Sequence, residues 1–325
     1  GGTTPAGAQP PARPSGASAG DGTGATLATT KIYVGTKTRA GAESPNAWKD
    51  FGYDLDGVTT STDFASHCKP AGGAAPNNVF PDGNDGIDNA FGKVLLPVLK
   101  TAASAGGVTD LEAELNGGIA DGTFTIILDL SNVGTGANYD PIAAYLGAGK
   151  NGVGGTWEIV PELLKPGGTS LADSVVAFPT SYVADNTWVS GDKGTVSLAL
   201  DIAGFQLALN IRSAVITMDL NADRSAGTNG VIAGVLDTEE LLTELKKVIG
   251  NLDASLCGSA GDNLLNQVRQ ASDIMKDGSQ SGDTCNGISI GLGFDASQIT
   301  LGPVAEPATG GGEDPCAAGA GGGAG

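Results

Sequence analysis

From Thr195 to Leu220 the chain alternates. Val196, Leu198, Leu200 and Ile202 are separated by Ser197, Ala199, Asp201 and Ala203. Beyond Gly204 the apolar positions become odd: Phe205, Leu207, Leu209, Ile211 and Val215. A strand sends successive side chains to opposite faces, so one strand keeps one parity. The change of parity therefore marks a tight turn or bulge at Ala203-Gly204. The run predicts two long antiparallel neighbours that share one buried face. A membrane helix would not carry Asp201, Gln206, Asn210 and Arg212 in its middle. No apolar run reaches the roughly 18 residues that such a helix needs.

Composition extends this reading to the whole chain. Among 325 residues, 53 are glycine, 16% are charged and 5% are aromatic. A helical bundle needs more Lys, Glu and Leu, whereas Gly with Thr, Val and Ile suits sheets joined by frequent turns. Phe124–Leu130, Trp157–Val160, Ser174–Phe178 and the Gly-rich Ile288–Phe294 read as further strands. Helices are fewer. Asp237 and Glu240 form a capping box before the stripe Leu241, Leu242, Leu245, Val248 and Ile249, which Gly250 ends. Thr109 and Glu112 open a short helix, Asp262 to Met275 forms another, and Pro97 limits any helix in the stretch 94–99. The expected fold is mainly β (α+β): an antiparallel β-sandwich or strongly curved sheet with a helical hairpin.

Residues 1–29 are Gly, Ala, Pro, Ser and Thr with only Arg13 and Asp21 charged, the composition of a flexible tether such as follows an export signal or a lipid-anchored cysteine. Residues 307–325 form a Gly/Ala-rich tail. Residues 30–306 contain no linker and read as one β-rich domain.

The chain carries 17 basic and 36 acidic residues, a net charge of −19. That excludes the basic footprint nucleic acid requires and disfavours an anionic membrane surface. The four cysteines, Cys68, Cys257, Cys285 and Cys316, form no C-x-x-C pair. They fit two disulfides and an oxidising compartment, outside the cell or on its outer surface. Of the three pairings, Cys257–Cys285 with Cys68–Cys316 is favoured, the first bracing the helical hairpin and the second clipping the tail.

Clustered acids without matching bases suit a divalent cation. Asp82, Asn84, Asp85, Asp88 and Asn89 fall in eight positions with Gly83 and Gly86. Calcium takes six to eight oxygens, which short Asp and Asn side chains on a tightly turning backbone can supply. The spacing resembles the aspartate loops of thrombospondin type 3 repeats, in a single copy. Asp54 and Asp56 alternate on an extended segment and so face one side, where they can complete the same shell. Asp219, Asn221 and Asp223 begin like an EF-hand loop. However, Arg224 stands where the turn glycine belongs and Gly230 where the bidentate Glu belongs, so a polar hairpin end is the better reading.

Catalytic signals are sparse. His67 is the sole histidine, and no G-x-S-x-G accompanies it. Glu112 with Glu114, or Glu158 with Glu162, could serve as paired carboxylates, and Trp157, Trp188, Tyr182 and Tyr53 could form a sugar-stacking platform. The segments Phe51–Gly57, Asp85–Gly92, Asn229–Leu236 and Cys285–Phe294 together resemble uncharacterised predicted secreted proteins or lipoproteins of myxobacterial type. That resemblance implies the cell envelope and no particular activity. The expectation is a non-enzymatic structural or adhesive surface protein stabilised by calcium and disulfides, with self-association, another surface protein or a glycan as partner. A secreted glycan- or ligand-binding module is the alternative, and a secreted hydrolase the third reading.

Overall fold

The computed structural model describes residues 7–202, 204–309 and 315–317. Eleven strands are β1 (Ala25–Tyr33), β2 (Thr125–Leu130), β3 (Tyr139–Val153), β4 (Thr156–Ile159), β5 (Val176–Ala184), β6 (Thr187–Val189), β7 (Gly194–Ile202), β8 (Phe205–Leu220), β9 (Ala226–Asp237), β10 (Gly287–Gln298) and β11 (Thr300–Val304). Five α-helices lie among the described residues: α1 (Pro76–Val79), α2 (Leu96–Ala105), α3 (Leu111–Ala120), α4 (Thr238–Leu252) and α5 (Ser259–Arg269).

The sheet is neither a sandwich nor an open curved sheet. Strands β1, β2, β3, β5, β6, β8, β9 and β10 pair in that order, each antiparallel to the next, and β10 returns to β1. The ring closes through β3–β5, where Leu146 faces Val176 and Ala144 faces Phe178. The result is a closed eight-stranded antiparallel barrel, and this corrects the sandwich expectation. Closure removes the free edges that an open sheet of this size would leave. Strand β7 extends the wall beside β8, and β4 and β11 extend it beyond β3.

Alternation fills the barrel. Leu27, Leu128, Leu130, Leu146, Val183, Trp188, Ile216, Met218, Ile232, Ile290 and Leu292 share one buried cluster, and they come from every strand of the ring. An eight-stranded barrel is just wide enough for its own side chains. The same core continues into Leu99 of α2, Leu115 of α3 and Leu245 of α4, so the helices extend the barrel core. Opposite parity lies outside. Ala28 and Ile127 pack under Trp157, Leu164 and Leu171. Val189, Val215, Val231 and Ala233 pack under Tyr53 and Leu55.

The β7–β8 hairpin stands as its alternation requires, with Ile202 paired to Phe205. Gly204 takes the left-handed conformation at the turn (φ 84°), and Ala203 lies outside the described residues. Asp237 caps α4, its carboxylate accepting from the Glu239 and Glu240 amides. Asp110, rather than Thr109, caps α3.

The disulfides pair otherwise than expected: Cys68 with Cys285 and Cys257 with Cys316. The backbone explains the difference. Lys69 and Cys285 lie side by side, the Cys285 amide donating to the Lys69 carbonyl, which brings the Cα atoms of Cys68 and Cys285 within 5.1 Å. The helical hairpin is thus clipped to the tail through Cys316, while Cys285 fastens the long loop that follows β1. Residues 25–29, in the stretch with tether composition, form the first half of β1. Residues 8–24 run along the body: the Asp54 amide donates to Ala8, Tyr182 Oη donates to the Pro11 carbonyl, and Arg13 pairs with Asp140. Of the tail, residues 310–314 and 318–325 lie outside the described set.

Candidate metal centre

The long loop between β1 and α2 docks on the outer face of β10, and glycine makes this possible. A Cβ on Gly291 would lie 2.1 Å from the Phe51 carbonyl oxygen, and one on Gly293 would lie 2.5 Å from the Phe51 ring. Only bare backbone allows so close an approach. Buried Asn89 then fastens the layers. Its Nδ2 donates to the carbonyls of Trp48, Phe51 and Gly291, and its Oδ1 accepts from the Gly92 and Gly291 amides.

Within this frame the extended segment 53–56 splits by parity. Tyr53 and Leu55 pack on the apolar outer wall. Asp54 and Asp56 turn the other way and meet Asp88 from the second loop. One carboxylate oxygen from each of the three lies within 4.8 Å of the others. Asp54 and Asp88 are 5% and 4% exposed. The two acidic patches of the sequence thus converge on one point.

The carboxylates are held by hydrogen bonds. Asp88 Oδ2 accepts from the Leu55 amide, Asp54 Oδ1 from the Gly57 amide, and Asp56 from the Val58 amide and Gln280 Nε2. Two more acids flank them. Asp82 accepts from the Thr60 amide, and buried Asp273 accepts from the amide and hydroxyl of Ser289. Among the described residues none of these five acids forms an ion pair. Lys93 is a nearby cation, but its Nζ donates to the Pro81 carbonyl. Burial lowers its pKa to about 8, with Asp273 and Asp82 pulling it back up.

Burial, assisted by mutual repulsion, dominates the electrostatics. It pushes Asp88 well above the ordinary carboxylate range, with Asp56, Asp82 and Asp273 adding to the effect. It lifts Asp82 to about 8 and Asp273 to about 7, against the hydrogen bonds each accepts. Asp54 is raised by the same cause. Without a cation Asp82 keeps its proton at neutral pH and Asp273 titrates there; a divalent ion would take the place of those protons. The donor set is all oxygen, which suits a hard cation such as calcium.

The other expected ligands lie apart from this point. Asn89 is consumed as a bridge. Asn84 is exposed and donates to Asp50. Asp85 is exposed, at a left-handed φ of 53°. Asp219, Asn221 and Asp223 sit at the β8–β9 turn, where their oxygens are taken by Thr187 and Asn229, by Ala226, and by Ser225. Arg224 occupies the turn at φ 61°, its guanidinium donating to the Gly134 and Gly136 carbonyls. Asp273 carries no local signal in the sequence, standing as a lone Asp between Ser272 and Ile274.

His67, Glu112, Trp157 and Trp188 are all buried. His67 is buried, stacked 4.6 Å from Phe80, with Nε2 bonded to Thr60. Buried Glu112 accepts from the Val34 amide and Thr36. Trp188 is fully buried in the barrel, and Trp157 lies in the separate outer cluster with Ile127, so these two do not share a surface. No family model, curated protein or solved structure matches the chain.

Proposed function

We propose that this chain is an exported, non-enzymatic structural or adhesive protein whose long first loop is pinned to the barrel by calcium. The observation that carries the reading is the convergence of Asp54, Asp56 and Asp88, two of them buried, without a basic partner among the described residues. A buried cluster of like charges is costly unless neutralised, and a bound cation neutralises it while stitching residues 54–56 to residue 88. Two disulfides fit an oxidising compartment, and no described helix is long and apolar enough to cross a membrane. The resemblance to secreted envelope proteins supports the same location.

Isothermal titration of the full chain with calcium tests the site. One ion per chain is expected, and Asp88→Asn should weaken binding at least about tenfold through the lost charged ligand. Absence of calcium binding, or equal binding by wild type and Asp88→Asn, would refute it.

A further inference from the structure

We propose that two copies of this chain associate through the outer edge of β7, each strand adding to the other's sheet antiparallel about a two-fold axis at Ser197. This stands independently of the cation reading. Strand β7 pairs with β8 alone, outside the closed ring. In a two-residue hairpin the closing pair, here Ile202 and Phe205, exchanges both hydrogen bonds. The even residues of β7 therefore bond to β8, and Thr195, Ser197, Ala199 and Asp201 direct their N–H and C=O groups outward. No proline interrupts the strand, whereas β11, the terminal strand on the other side, carries Pro303.

Charge fixes the partner and the register. Lys193 is exposed and has no carboxylate within ion-pair distance among the described residues. Asp201 Oδ1 accepts from the Gly204 amide, leaving Oδ2 free among the described residues. Pairing Ser197 with Ser197 of a second copy sets Thr195 opposite Ala199 and Lys193 opposite Asp201, twice over by symmetry. Thr195, Ser197, Ala199 and Asp201 are outward-bonding positions and Lys193 directly precedes the strand, so the pattern suits an antiparallel ladder. The odd side chains of β7 share one face, and continuing the strand by one residue sets Lys193 beside Asp201 of the partner copy. On the other face, Val196 lies opposite Leu198. The net charge of −19 on each copy opposes approach. Two strands alone bury less than about 1,200 Å², the class of weak contacts.

Sedimentation equilibrium over a concentration series of the full chain tests this, with hydrogen exchange on the same samples. A dimer should form as concentration rises, and the Ser197 and Ala199 amides should gain protection only in the dimer. Ala199→Pro removes one outward donor without touching the β7–β8 bonds, and should weaken association at least about tenfold. Lys193→Asp should weaken it, and Lys193→Asp with Asp201→Lys should restore it. A chain monomeric throughout the series, or a dimer indifferent to Ala199→Pro in a variant with the wild-type circular dichroism spectrum, would overturn the proposal.

Discussion

Buried Asn89 shows how residue type alone can mislead. Asx-rich spacing made it a ligand candidate, yet its amide bridges three carbonyls and two amides across three segments. Asn89→Ala would strand those groups, and unfolding in denaturant should show a loss of roughly 2–5 kcal/mol. Asn89→Asp keeps the acceptor but loses the donor, and should also destabilise. Asp273 supplies the pH test. Its folded pKa of about 7 lies above the ordinary 3.8. The folded state then binds more protons than the unfolded state between those values, so this group's contribution falls as pH rises from about 4 through 7. In chelator, the stability difference between wild type and Asp273→Asn should therefore shift against wild type from pH 5 to pH 8. A difference independent of pH would contradict it.

Among the elements, β10 governs the docking of the acidic loops. Gly291→Val would place side-chain atoms against the Phe51 carbonyl, 2.1 Å from where a Cβ would begin. A cost of about 3 kcal/mol follows from overpacking, together with weaker calcium binding as Asp54 and Asp56 shift. An unchanged melting temperature would show that the loop yields freely. The disulfides should part under graded thiol reduction. Cys257 is exposed, whereas Cys68 and Cys285 are 2% and 3% exposed. Mass spectrometry after alkylation should find Cys257 and Cys316 modified first. The β7–β8 hairpin and α4 were legible because alternation and capping are local signals. Strand β3 was not, because its sequence is rich in Gly and Ala and carries Pro141. Its pairing partners confer the strand that propensity does not.

Barrel closure is a property of the whole molecule, and the sequence does not announce it. It depends on the β3–β5 pairing, which contains two register shifts, and on no single alternating run. The disulfide pairing is equally non-local: Cys68 and Cys285 are 217 residues apart and meet because the loop returns to β10. Cross-linking so long a loop restricts the unfolded chain by up to roughly 5 kcal/mol. The acidic residues of the proposed cation site were readable one by one. Their convergence was not, because it requires loops 51–57 and 81–89 to share one docking face. Calcium that binds the folded chain alone stabilises it by mass action, about 2.7 kcal/mol at a hundredfold excess over Kd. Thermal melting of the disulfide-intact chain in excess calcium and in chelator at neutral pH is the most direct test. The melting temperature should be higher in calcium by roughly 4–5 °C, with Asp88→Asn losing most of the gain. Equal melting temperatures in calcium and chelator would contradict the account.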